Sequence, residues 1–267
     1  MNWKNIFTGV AVFALSAALL TGCGSEKAPS TDNAAEMGKI VVGLDDNFPP
    51  MGFKNEKNEI VGFDVDLAKE AAKRLGREVE FKAIDWSSKE AELKSGRVQI
   101  LWNGLDITEK RKENMLFSNP YMDNRQIIFV KKGNTAVTDE KSLAGKTVGT
   151  QSAGTAEEYI DATDFYKNDV KEVKKYPDYV AAFMDLENGR LDAVIGDEIV
   201  GRYYMSKHPE EIEALDVVVG PTSEFGIAFA KDNTALRDEV QKVLDEMKKD
   251  GTMAKISTEW FTKDITK

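Results

Sequence analysis

From Lys39 to the end of the chain, short β-branched or apolar runs alternate with segments of helical spacing, and this alternation limits the possible folds more than any other property. Lys39–Gly43, Val79–Ile84, Val98–Leu101, Ile127–Val130, Thr147–Gly149, Val170–Val173, Leu191–Ile195 and Phe225–Ala230 read as strands. Between them, Phe63–Leu75 places Leu67, Ala71 and Leu75 on one face with Ala68 and Ala72 beside it, and Gly76 is a natural stop. Ser87–Lys94, Asp178–Glu187, Leu236–Lys249 and Met253–Phe261 also read as helices, and Asp45–Met51, with its two prolines, as a loop. The alternation predicts an α/β fold of largely parallel sheets with helices on both faces. Such sheets bind ligands at the carboxyl ends of their strands, so the informative residues should follow strands directly.

The first 38 residues stand apart. Lys4 lies in a short polar start, Ile6–Leu20 is apolar, and Leu20-Thr21-Gly22-Cys23 follows at once. This is the layout of a secretion signal, too short for a comfortable membrane helix. Residues 1–22 are therefore expected to be a signal peptide and 23–38, small and polar without apolar period, a flexible tether. Cys23 is the single cysteine of the chain, so an intramolecular disulfide is excluded. A net charge of −10 argues against a nucleic-acid partner, because phosphates would be repelled. The 267 residues give enough length for two cores.

Four segments after strands carry unusual chemistry. In Trp102–Arg111, Thr108 can cap a helix, which puts Arg111 three residues past the cap. A cation there opposes the helix dipole. It is either a carboxylate clamp, whose fork matches two oxygens, or a solvated arginine beside Lys110 and Lys112. Gly149–Thr155 is a glycine turn leading into a helix, where backbone N–H groups and Thr155 could hold an anion, or an ordinary strand–turn–helix. Asp197 follows the apolar Ala193–Ile195; it can receive an ammonium or simply cap the next helix. Asp45, Phe48 and Trp86 place a carboxylate and two aromatics at loop edges, able to sandwich a carbon skeleton or to join the core.

Taken in order, GLDDNFPPMGF, GFDVDLAKEAAKRLG, DITEKRKENMLFSNPY, KSLAGKTVGTQSAGTAEEY, ENGRLDAVIGDE and DGTMAKISTEWF resemble the bacterial family 3 extracellular solute-binding proteins, receptors of polar amino-acid ABC importers. The resemblance covers Lys39–Phe261. It implies the two-lobed type II periplasmic-binding-protein fold: lobe 1 from 39–121 and 226–267, lobe 2 from 126–220, and two crossover strands forming a hinge at 122–125 and 221–225. It further implies that Arg111 and Thr155, with Gly154 before it, hold a ligand α-carboxylate and that Asp197 holds the α-ammonium. Asp45 would read the side chain, Phe48 and Trp86 would stack on it, and Asn103 and Gly104 would line the pocket. Cys23 matches the lipoprotein box, where the thiol receives a diacylglyceryl group, so that acyl chains anchor the protein to the outer face of the cytoplasmic membrane. The implied partners are a free amino acid and a membrane permease, with the protein itself a monomer.

Two positions depart from the pattern. Asp106 stands where many relatives carry Ser or Thr, and Gly154 replaces a hydroxyl residue. With Asp45 and Asp197, Asp106 gives the site three carboxylates, and no spare Lys or Arg occurs among the matched positions. A polar neutral or cationic amino acid, or a cystine-like relative, is therefore expected in preference to glutamate or aspartate. The remaining alternatives are a ligand sensor and an enzyme resembling the prephenate or arogenate dehydratases. Against a hydrolase, no cysteine is spare and His208 is the single histidine, in a polar stretch before Pro209. No His/Cys cluster is present for a metal, and no cofactor is expected.

Overall fold

The computed structural model describes residues 38–267. The signal segment, Cys23 and all but the last residue of the tether lie outside them. No helix among the described residues is long and apolar enough to cross a membrane.

The first lobe is built on strand β1 (Lys39–Leu44), which pairs in parallel with β5 (Glu78–Ala83) and β6 (Ile100–Leu101). Between β1 and β5 the chain forms a small antiparallel sheet of β2 (Asn47–Phe48), β3 (Gly52–Lys54) and β4 (Ile60–Val61), then helix α1 (Phe63–Arg74). Helix α1 buries Leu67, Ala68, Ala71 and Ala72 as its spacing predicts. Asp64 and Asp66 in its first turn and Lys73 and Arg74 in its last complement the helix dipole. The predicted helix Ser87–Lys94 is instead a 3-10 turn over Trp86–Ser88 followed by α2 (Lys89–Lys94). Helix α3 (Glu109–Asn114) and β7 (Met115–Phe117) follow, and β13 (Ala228–Ala230) inserts between β6 and β7, antiparallel to both. Helices α8 (Thr234–Lys249) and α9 (Thr252–Phe261) close the lobe, α8 burying Leu236, Val240, Val243, Leu244 and Met247.

The second lobe has strand order β10-β9-β11-β8-β12. Strands β9 (Thr147–Gln151) and β11 (Ala193–Asp197) are buried along their whole length and pair in parallel, as does β10 (Glu172–Tyr176) with β9. Helices α4 (Thr155–Ala162), α5 (Asp164–Asn168), α6 (Tyr179–Glu187) and α7 (Glu198–Lys207) connect them. Strands β8 (Met122–Lys131) and β12 (Ile212–Phe225) are antiparallel to their neighbours. Each five-stranded sheet therefore has two parallel and two antiparallel joints, which corrects the expectation of largely parallel sheets. The reason is the return path. The chain leaves lobe 1 on β8 and comes back on β12, so these two run in opposite directions side by side, pairing Asn124 with Ser223 and Met122 with Phe225 at the crossing.

Lobe 2 packs tightly at Gly201 on α7. A Cβ there would sit 2.0 Å from Cζ of Phe129 on β8, whose ring stands 5.2 Å from that of Phe183. Gly201→Ala improves helix propensity yet is expected to destabilise the protein by about 1–3 kcal/mol through overpacking. A lower urea midpoint at unchanged m-value would show this. A midpoint at or above the wild-type value would show that the Phe129 ring can move aside.

Candidate functional site

The carboxyl ends of β1 and β6 in lobe 1 face those of β9 and β11 in lobe 2 across a cleft. A small pocket lies there, lined by Phe48, Trp86, Gly104, Asp106 and Arg111 from one lobe and Gln151, Gly154, Thr155 and Asp197 from the other. The structure thus brings eight of the ten sequence-predicted ligand residues to one place. The other two stand just behind. Asn103 is buried and turned away, its Oδ1 accepting from the backbone N–H of Asp45 at 3.0 Å. Asp45 accepts from the Asn47 backbone N–H at 2.9 Å and from Nε2 of Gln151 at 2.7 Å, so it bridges the lobes instead of lining the pocket. A larger groove runs outside the crossover strands, but its acidic and basic walls are already paired, as in Arg125–Glu198 and Arg202–Glu198.

One end of the pocket is cationic. Thr108 caps α3 as expected, its hydroxyl accepting from the Arg111 backbone N–H at 3.2 Å. That start aims the Arg111 side chain into the cleft, where it is 2% exposed, which removes the solvated-surface reading. Its NH1 donates to the Asp106 carbonyl at 2.9 Å, and its Nε and NH2 lie 3.1 and 3.0 Å from Oε1 of Glu158 on α4. The first turn of α4, at Gly154 and Thr155, leaves its N-terminal N–H groups near the same end, with no side-chain cap using them.

The other end is anionic. Asp197 occupies the cap position of α7, yet its carboxylate makes no capping bond. It is turned into the protein instead, where it accepts from Nδ2 of Asn124 and, at 2.9 Å, from Nε2 of Gln126. The same Asn124 amide donates to Asp106 at 3.0 Å, and the Ser223 hydroxyl donates to Asp106 at 2.6 Å. Asp106 and Asp197 therefore share their donors and face one another. Burial, reinforced by the Asp106 charge, pushes the Asp197 carboxyl up to about 7. Burial also raises Asp106, with the Arg111 guanidinium opposing the shift. Burial lifts Asp45 to about 7 as well. Phe48 and Trp86, both buried, close the apolar sides.

A model of the bacterial extracellular solute-binding proteins, family 3, matches residues 40–263. The chain belongs to that family. It is 34% identical over 234 residues to ABC transporter arginine-binding protein 1 of Escherichia coli K12, which covers 86% of this chain and 94% of the relative. It is 32% identical over 235 residues to an L-cystine-binding protein of the same strain, covering 87% of this chain and 86% of the relative. Among solved structures, a substrate-binding protein of an ABC uptake transporter from Streptococcus pneumoniae with bound histidine superposes with a TM-score of 0.83 at 32% identity. That match covers 88% of this chain and 98% of the other. As a member of this family the protein is an extracellular solute-binding receptor.

Several residues of the site escaped the sequence reading, Gln151, Tyr179 and Lys89 among them. Gln151 ends β9, the position that the strand-end rule singles out, but only the glycine turn after it drew notice. Tyr179, fully buried, packs its ring at a 46° tilt to that of Phe48 with centroids 6.0 Å apart, and the nearby Asp197 charge adds to burial in raising its hydroxyl well above the usual range. Lys89 is 3% exposed and donates to the Ala153 carbonyl at 2.8 Å. By contrast, His208 ends α7 away from the pocket, stacked on Tyr204 at 4.2 Å with its Nδ1 3.0 Å from Glu187. No group of three or more His, Cys, Asp or Glu is placed to hold a metal among the described residues.

Proposed function

We propose that this protein traps a free amino acid, polar neutral or cationic, between its two lobes and delivers it to the permease of an ABC importer. The observation that carries the reading is the polarity of the pocket: Arg111 and the start of α4 at one end, Asp106 and Asp197 at the other, two aromatics between. That is the complement of an α-carboxylate and an α-ammonium on one carbon skeleton. Arg111 and Thr155 receive the carboxylate, Asp197 and Asp106 the ammonium. The third carboxylate, Asp45, stands behind the pocket wall against Gln151 and adds to the negative surroundings, which favours a neutral or cationic side chain over an acidic one. Relatives named for arginine, histidine and cystine fit a site of this kind.

The lobes divide at 122–125 and 221–225, where β8 and β12 cross, and rotate about those segments. Only the closed form makes both sets of contacts, so the ligand shifts the population toward closure. Cys23 carries the lipid that holds the receptor, as a monomer, outside the cytoplasmic membrane.

A thermal-shift panel of the free amino acids, cystine, ornithine and simple amines tests the reading. A ligand at a hundredfold excess over its Kd adds about 2.7 kcal/mol to stability and raises the melting temperature accordingly. Arginine, histidine, cystine or a neutral polar amino acid is expected to rank first. Aspartate or glutamate in first place, or no shift by any amino acid, would overturn it.

A further inference from the structure

Lys89 is a buried cation that the carboxylate-and-ammonium scheme leaves unused. It starts α2 in lobe 1, and its ammonium reaches across the cleft to the carbonyl of Ala153, in the turn before α4 of lobe 2. Ala153 holds a left-handed φ of 55°, and its carbonyl also accepts from Arg111 at 3.4 Å. Two lobe 1 cations thus converge on one lobe 2 peptide oxygen. The other partners of Lys89 are weak: the Trp86 carbonyl at 3.4 Å and the Trp86 ring, its centroid 5.1 Å away. Among the described residues no carboxylate comes within ion-pair distance of Lys89. Glu158 is engaged by Arg111, Glu157 by Lys175 at 2.7 Å, and Glu90 by the amide of Asn114 at 3.2 Å. Burial and the Arg111 charge together lower the Lys89 ammonium to about 8, with Glu158, Glu90 and Glu157 only partly offsetting them.

A buried ammonium without a counter-ion is costly, and this one is buried by contact between the lobes. We infer that Lys89 is a specificity-determining residue that acts as a brake on closure: shutting the cleft buries two cations, Lys89 and Arg111, with Glu158 the one carboxylate among the described residues within ion-pair distance of either, and the α-carboxylate of a ligand supplies the missing negative charge. An amine or amide of the same shape closes the cleft without relieving that deficit. The brake therefore makes the receptor selective for free amino acids over their amides and decarboxylated amines. It operates without Lys89 lining the pocket.

This inference rests on the amino-acid reading above, and the experiment separates the two. The amino acid ranked first in the thermal-shift panel and its α-amide are titrated calorimetrically into wild type, Lys89→Met, Lys89→Gln and Lys89→Arg. The ratio of amide Kd to amino-acid Kd is expected to fall about tenfold or more in the two neutral variants, mainly because the amide binds better. Lys89→Arg should keep the wild-type ratio. Small-angle scattering should show the unliganded neutral variants more compact than wild type. A merely structural lysine would weaken both ligands alike and leave their ratio unchanged. An unchanged ratio with amino-acid binding intact overturns the brake and spares the receptor. Absence of amino-acid binding in wild type removes both.

Discussion

Arg111→Ala is expected to weaken binding of the best free amino acid by about a hundredfold or more, with little change in the fold. The magnitude follows from burial. Arg111 is 2% exposed and meets Glu158, the Asp106 carbonyl and the Ala153 carbonyl. Removing one partner of a buried, hydrogen-bonded charge pair costs about 2–5 kcal/mol, and each 1.4 kcal/mol is tenfold in affinity. Two effects act together. The ligand carboxylate loses a two-pronged donor, and Asp106 loses the cation that opposes its upward shift, so the ammonium end of the pocket is weakened as well. Arg111→Lys separates them: it keeps a positive charge but not the planar fork, and should lie between wild type and alanine. Circular dichroism and the unliganded melting temperature establish that the variants are folded. Calorimetric titration then decides. Unchanged affinity in a folded Arg111→Ala would place the ligand carboxylate elsewhere.

The way these residues reach one another explains what could and could not be read from the chain. Thr108 capping α3, and Arg111 three residues later, is local geometry, and one turn of helix suffices to place the side chain. Asp197 was legible as a carboxylate at a strand end, but its choice between capping α7 and facing the cleft depends on Asn124 and Gln126, which lie 73 and 71 residues away. Asn103 and Asp45 were legible as strand-end residues, yet the Asn103 side chain is taken by the Asp45 backbone N–H and the Asp45 carboxylate by Asn47 and Gln151, so both stand behind the pocket wall. Lys89 was not legible at all. Beside Glu90 and Glu92 it has the look of a solvated helix face, and only the other lobe buries it. The same holds for the sheets. The apolar middle of β8 announces a strand, but where it crosses between lobes it carries Asp123 and Asn124 opposite Glu224 and Ser223, polar residues without strand periodicity. The half-exposed β10, Glu172–Tyr176, likewise shows little alternation, and its expected position two residues earlier follows the apolar Val170 instead.

The raised carboxyls of Asp45, Asp64, Asp106 and Asp197 make a second large effect, in which affinity and stability respond to pH in opposite directions. Asp197 must be ionised to hold an ammonium, yet its carboxyl stands at about 7 without a ligand. At pH 5.5 only a few per cent of such a group is ionised and at pH 8 most of it is, so affinity should rise about tenfold or more between these values, with proton release on binding. Arginine is the apt probe because its own charges do not titrate in this window. For stability the sign reverses. Asp45, Asp64 and Asp197 each rise from 3.8 to about 7 on folding, so between those values the folded chain binds more protons than the unfolded one. Their contribution is complete below about pH 4 and is lost as pH climbs through 7, at most about 1.4 kcal/mol per unit for each group. The unliganded protein should therefore resist urea better at pH 5 than at pH 8, and tight binding at pH 8 should offset the difference. Asp197→Asn keeps the Oδ acceptor but cannot titrate, so it should bind weakly at every pH and lose the slope in affinity. Calorimetry in buffers of different ionisation enthalpy counts the released proton directly. An affinity flat from pH 5.5 to 8 in the wild type would mean that Asp197 is already ionised before the ligand arrives, and that the Asn124 and Gln126 amides alone stabilise its charge.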